Sequence, residues 1–258
     1  MFTLAAWIQS VNPGSAYVQL AAPADPILTV NSPKILCPPL NQVVMLAGGG
    51  ETLVAPRVRL VSPSLLTLDR FQISPLNTAA AASVLPNTPT RYADLKDNPL
   101  QLVVGEQMTM ELFSGPAAPQ IQWGLLWLAD GAIKPVTGKI YTVRATATIA
   151  ATSITWTNGA IVFDDALPRG RYQIVGFRGQ SATMIATRLV IPGTFWRPGC
   201  IGAVDATYVD TDNAFRYGNF GVYGEFEDTA QPTVDILCAA ADAAEVFFLD
   251  LIQIRSGP

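Results

Sequence analysis

The 258-residue chain contains no histidine, and only 14% of its residues are charged. Without imidazole, Ser-His-Asp and Cys-His catalysis, zinc hydrolysis, metal-binding cupin chemistry and the facial-triad oxygenases each lose a required group. Cysteine is also scarce. Cys37, Cys200 and Cys238 are an odd number at spacings that fit no zinc pattern, and they read as small buried hydrophobes. A Cys200–Cys238 disulfide is the alternative, so the compartment stays open.

Basic charge is nowhere in excess. The net charge is −4, from 6 basic and 8 acidic residues in 1–133 and 10 basic and 12 acidic in 134–258. A protein that neutralises phosphates is usually clearly basic, so direct nucleic-acid binding is not expected, nor is polybasic membrane targeting. Uninterrupted apolar runs are missing as well. The first charged residue is Asp25, but Met1 to Ala24 has no basic n-region and is broken by Pro13-Gly14, so it reads as an uncharged N-terminal arm or first strand. Other uncharged stretches carry Pro, Thr or Asn, and no transmembrane helix is expected. Long amphipathic helical patterns are absent too, and the best helical candidate, Asn77 to Val84, is a short piece between prolines.

What is present points to strands. Twenty prolines and twenty glycines are spread along the chain. The segments between them are four to ten residues long and rich in Val, Ile, Thr and aromatics, the spacing of an all-β sandwich or barrel. Strands are expected near 17–20, 27–30, 42–46, 57–61, 65–73, 100–104, 107–113 and 121–128. A second set is expected near 139–149, 153–157, 160–163, 171–177, 183–191, 201–209, 222–226, 234–238 and 246–254. Gly48-Gly49-Gly50 reads as a turn, Thr157-Asn158-Gly159 as a hairpin, and Ser74 to Pro99 as a long irregular loop that is functional or an interaction surface.

The two sets repeat. Arg59-Leu60-Val61-Ser62-Pro63 returns 129 residues later, half the chain length, as Arg188-Leu189-Val190-Ile191-Pro192. Glu111-Leu112-Phe113 leading to Trp123–Trp127 returns as Asp235-Ile236-Leu237 leading to Phe247–Leu251, with about five residues fewer between the matched features. Such self-similarity implies one unit written twice. It places domains at 1–133 and 134–258 with a linker at Pro135–Gly138, and the repeated arginines read as strand-end structural residues. Two successive units of about eight antiparallel strands match the eight-stranded jelly roll better than the immunoglobulin sandwich, whose Cys…Trp…Cys spacing neither half carries.

Site chemistry is sparse. The carboxylates Asp164-Asp165, Glu225, Glu227 and Asp228 could in principle form a glycosidase pair. Adjacent acids in a turn are more often solvated, and no enzyme activity or cofactor is expected. Asp205, Asp210 and Asp212 form an oxygen-rich cluster without full calcium-loop spacing. They read as a solvated acidic loop, with a weak calcium site at a subunit contact as the functional alternative. The aromatics Trp123, Trp127, Trp156, Phe177, Phe247 and Phe248 sit in expected strands and should fill the interior. Phe195-Trp196, rigidified by neighbouring prolines, suits an interface anchor. The glycine-aromatic run from Phe215 to Gly224 reads as a loop packed against a neighbour.

On the repeated Arg-Leu-Val strands, the paired closing strands ending at Leu128 and Ile254, the linker near Pro135 and the uncharged N-terminal arm, the chain resembles the double jelly-roll major capsid proteins of tailless icosahedral viruses, many with an internal membrane. The resemblance implies two jelly rolls side by side, roughly normal to the capsid surface, and homotrimers that imitate six-fold symmetry and tile a shell. It also implies a virion location, with self-association, other virion proteins and an internal viral membrane as partners. Low surface charge suits such lateral contacts. The rival reading is a tandem β-sandwich recognition protein, such as a viral spike or carbohydrate-binding module.

Overall fold

The computed structural model describes residues 1–12, 16–50, 57–68, 72–73, 92–113, 120–203 and 211–256. It is all-β, built from antiparallel sheets. The chain divides into two compact units, Leu4–Ala132 and a second comprising Ile133–Pro258 together with Met1–Thr3. Residues 135–138, expected as a linker, belong to the second unit, where the Val136 amide donates to the Gly218 carbonyl at 2.9 Å.

The first unit contains β1 (Phe2–Val11) from Leu4 onward, β2 (Val18–Gln19), β3 (Val30–Asn31), β4 (Lys34–Leu36), β5 (Gln42–Gly50), β6 (Arg57–Val61), β7 (Gln72–Ile73), β8 (Tyr92–Asp94), β9 (Leu100–Gln101), β10 (Gln107–Phe113) and β11 (Gln120–Ala129). One sheet has the order β1-β11-β5-β8, with β9 also on β5. The other runs β3-β4-β10-β6-β7, with β2 also on β10. The expected strand at 65–73 is overturned in part, since Pro63–Leu68 forms a 3₁₀ turn. Pro63 presets a helical φ, and the Glu106 carboxylate accepts from the Ser64 amide at 3.0 Å, satisfying a donor that the start of a helix leaves open. The helical candidate at 77–84 and most of the expected loop at 74–99 lie outside the described residues; the described end of that loop is corrected, since Tyr92–Asp94 forms a strand paired with β5.

The second unit contains β12 (Tyr141–Ala147), β13 (Trp156–Ala160), β14 (Val162–Phe163), β15 (Gly170–Gln180), β16 (Met184–Val190), β17 (Gly199–Ile201), a short helix α1 (Thr211–Ala214), β18 (Gly224–Glu227), β19 (Thr233–Cys238) and β20 (Glu245–Ser256). Its sheets run β14-β12-β20-β15-β18 and β13-β19-β16-β17. The order is that of the first unit. Leave aside the small strands β3, β9 and β14, and count β2 and β4, which both pair with β10, as one. In each unit one sheet is then first-eighth-third-sixth and the other second-seventh-fourth-fifth, among the described residues.

Most of the expected interior aromatics are buried, but Trp156 and Phe248 are not: both are half-buried, Trp156 under the Arg188 guanidinium and Phe248 beside those of Arg178 and Arg216, because their strand positions face away from the interior. Trp7, Trp123 and Trp127 are buried in the first unit, and Phe177 stacks on Phe247 at 6.0 Å in the second. The Phe215–Gly224 run is split, with Tyr217 and Val222 exposed and its other aromatics turned inward. Phe215, Phe220 and Tyr223 are buried in their own unit, and Phe2 meets Phe220 and Tyr223 edge-on at 4.9 and 5.0 Å. All three cysteines are buried and none forms a disulfide. Burial, then the nearby Glu106 charge, pushes the Cys37 thiol up to about 12. No described helix is long and apolar enough to cross a membrane.

Two glycine readings are corrected. Gly48 and Gly49 are not a turn but lie within β5, opposite Gly124 and Trp123 of β11. A Cβ on Gly48 would stand 2.8 Å from Val58 of the facing sheet and 2.9 Å from the Trp123 carbonyl, so glycine serves close sheet approach here. Likewise Asn158-Gly159 is no hairpin but the middle of β13, paired with Asp235 and Val234 of β19. Gly48→Ala is therefore expected to cost about 1–3 kcal/mol, because Val58 and a backbone carbonyl must both move. Urea denaturation checks it, and an unchanged midpoint would show that the sheets can separate freely.

Candidate functional site

The repeated arginines sit in mid-strand rather than at strand ends, and the fold pairs each with the repeated acid. Arg59 of β6 lies opposite Glu111 of β10, and Arg188 of β16 lies opposite Asp235 of β19. Successive side chains on a strand point to opposite faces. Because Val58 and Thr187 approach glycines of the facing sheets, the two arginines point away from the interior. Arg59 Nε donates to Glu111 Oε2 at 2.7 Å, and its guanidinium lies 3.6 Å from the Tyr17 ring centroid. Arg188 Nη2 donates to Asp235 Oδ2 at 2.9 Å, and its guanidinium lies 3.9 Å from the Trp156 ring centroid. An aromatic–arginine–acid stack thus recurs in both units, with arginine and acid on corresponding strands and the aromatic just before β2 in one and in β13 in the other. Planar guanidinium suits both partners, since it stacks on a ring while forking onto a carboxylate.

The second stack is more enclosed than the first. Arg188 and Asp235 side chains are 0% and 2% exposed, against 16% and 12% for Arg59 and Glu111. Asp235 also accepts from Arg197 and, at 3.0 Å, from Asn158 Nδ2. Arg197 ties down the β16–β17 connection, whose Thr194 amide donates to the Ile191 carbonyl at 3.0 Å and where Gly193 has a φ of 77°. Thr3 Oγ1 donates to the Arg197 carbonyl at 3.3 Å. On this anchored turn, Phe195 is 61% exposed and meets the half-buried Trp196 edge-on at 4.9 Å. The interface candidates Phe195 and Trp196 are thus adjacent on a braced loop.

A second buried ion pair joins Asp250 of β20 to Arg216. Asp250 Oδ2 accepts from Arg216 Nε at 2.7 Å and the Tyr217 amide at 2.8 Å. Oδ1 accepts from Arg216 Nη2 at 2.8 Å and Thr142 Oγ1 at 2.7 Å. Burial alone raises this carboxyl, but the bonds from Arg216, Thr142 and the Tyr217 amide outweigh it and hold the group below the usual carboxylate range. Glu245 shows the opposite balance. Burial dominates the bond from the Ile149 amide, and its carboxyl is raised.

Of the expected metal cluster, Asp205 and Asp210 lie outside the described residues, and Asp212 falls in α1. Among the described residues no group of three or more His, Cys, Asp or Glu could hold a metal ion. Glu225 pairs with Arg171 at 2.8 Å, Glu227 with Arg255 at 3.1 Å, and Asp228 accepts from the Gly170 amide at 2.9 Å. Sequence reasoning singled out Arg59, Arg188, Glu111 and Asp235 as repeat markers without joining them. It missed Arg197, Arg216 and Asp250 as ion-pair residues. The shared offset of the arginines and acids was the available signal.

No family model and no curated protein sequence matches the chain. Among solved structures, the chain is similar to the major capsid protein P2 from bacteriophage PM2, with 12% identity, 97% of each chain covered and a TM-score of 0.24. It is also similar to xanthan lyase from Paenibacillus, with 8% identity and a TM-score of 0.26, covering 96% of this chain and 23% of that one. Both superpositions are too loose to carry a fold or a function across.

Proposed function

We propose that the chain is a structural major capsid protein with two eight-stranded jelly rolls. In this reading three chains form a pseudo-hexagonal capsomer that tiles an icosahedral shell. The observation that carries the reading is the recurrence, in both units, of one strand order with one aromatic–arginine–acid stack whose arginine and acid lie on corresponding strands. First-eighth-third-sixth facing second-seventh-fourth-fifth is the order of a jelly roll, an architecture common in capsids. Duplication has a physical use in a shell, because three copies of a doubled unit present six similar sides. The scarcity of charge suits those lateral contacts, and a structural role asks for no catalytic group or cofactor. The protein's place is then the virion, and its main partner is itself.

Phe195 is the proposed lateral anchor, since a braced loop presents its ring at little entropic cost. Phe195→Ser is expected to raise the concentration needed for assembly at least tenfold, in keeping with the ~2 kcal/mol or more of an aromatic hot spot. The fold should survive, because the ring is exposed. Sizing with light scattering, followed by electron microscopy of the assemblies, is the test. Trimers and larger shells support the reading. A monodisperse wild-type monomer that binds sugars and loses them on Trp196→Ala would replace it with the tandem recognition protein.

A further inference from the structure

The second unit holds a groove of about 540 Å³ that a shell role leaves unused. Its floor is apolar, formed by Val143 of β12, Leu167 and Leu251 of β20. On one wall Tyr141 is 45% exposed, with the Lys139 ammonium 5.3 Å from its ring centroid. At the rim, Asp164 is occupied by an ion pair with Arg144, whereas Asp165 is exposed and takes no hydrogen bond or ion pair among the described residues. The far wall is held in place, since the Tyr172 hydroxyl donates to the Pro168 carbonyl and Gln253 Nε2 donates to the Arg169 carbonyl at 3.2 Å.

We infer that this groove binds a short neutral oligosaccharide, with a pyranose face on Tyr141 and adjacent hydroxyls donating to Asp165. The volume falls in the range of small-ligand sites, which join an apolar lining to a few placed polar groups. A sugar matches that combination, because it presents an apolar C–H face to a ring and a polar edge to a carboxylate. Hydrogen bonds to an ionised acceptor are the stronger kind, so Asp165 supplies the orientation. Charge selects the class: Asp164 and Asp165 are balanced by Arg144 and by the Lys139 ammonium beside Tyr141, so no surplus of positive charge is offered to sialylated, sulfated or phosphorylated ligands. Tyr172 and Gln253 are already held by hydrogen bonds, which limits the entropic cost on that wall. In a shell, many identical grooves would convert weak single-site binding into firm attachment to a glycan-bearing surface. Binding at one groove does not depend on assembly, so the failure of either reading leaves the other standing.

The test applies the full chain, and its Tyr141→Ala and Asp165→Asn variants, to an array of neutral oligosaccharides with sialylated and sulfated sets alongside. Expected is retention on neutral glycans only, reduced at least tenfold in each variant, with circular dichroism and sizing profiles unchanged. Both substituted residues are exposed, and Asp165→Asn keeps the same shape, so the fold is preserved in at least that variant. Absence of neutral-glycan retention, preference for acidic glycans, or wild-type retention by Asp165→Asn would each overturn the assignment.

Discussion

Asp235→Ala is expected to destabilise the second unit by about 3–5 kcal/mol, the usual cost of removing one partner of a buried ion pair. Arg188 is 0% exposed, so its guanidinium cannot recover water when the carboxylate goes. Arg197 and Asn158 lose the same acceptor, which loosens the turn carrying Phe195. The corresponding change in the first unit, Glu111→Ala, is expected to cost only about 1–2 kcal/mol, because the Arg59 side chain is already 16% exposed and keeps its stack on Tyr17. The contrast is the sharper half of the prediction, since the two stacks share chemistry and differ in enclosure. Urea denaturation of both variants measures it. Equal losses would show that burial is not what separates them. An Asp235→Ala loss below about 1 kcal/mol would remove the buried pair from any role in stability.

Asp250→Ala is the second large effect, again about 3–5 kcal/mol, because it strands a buried Arg216 together with the Tyr217 amide and the Thr142 hydroxyl. This carboxylate also makes a pH-dependent prediction. Its pKa in the folded chain is lowered from the ordinary 3.8. The unfolded chain therefore binds the proton more readily, and the group contributes stability that is fully present above the unfolded value. That stability is lost as pH falls through the folded value. The wild type should accordingly lose thermal stability steeply below about pH 4, whereas Asp250→Asn should begin less stable and show a shallower acid limb. Melting temperatures between pH 7 and pH 2 decide the matter, and parallel curves for the two proteins would exclude Asp250 as the source.

Glycine shows why part of this architecture was not legible beforehand. The residue serves positive φ in turns and close approach in packed sheets, and the local sequence is the same in both cases. Gly48-Gly49 and Gly159 belong to the second class, a distinction that depends on Val58, Trp123 and Ile149 arriving from elsewhere in the chain. The ion pairs were hidden for a related reason. Arg59 and Glu111 are 52 residues apart and Arg188 and Asp235 are 47 apart, so their partnership exists only once strand register is set. The groove depends on register too, because Tyr141 and Leu251 share a wall and floor only where β12 and β20 align them. Asp164-Asp165 could be seen as a pair of acids, but not as the rim of anything.

The amino-acid sequence by itself determined the all-β class, the approximate places of most strands and the repetition of one pattern in two halves. Alternating β-branched and aromatic segments, closely spaced prolines and glycines, and recurring residues are local properties of the chain. Tertiary structure alone decided which strands neighbour one another, that the repeated arginines meet the repeated acids, and which of two chemically alike stacks is sealed from water. Those outcomes rest on contacts between residues tens of positions apart, where burial and register, rather than residue type, set the energy of a charge or the room left for a side chain.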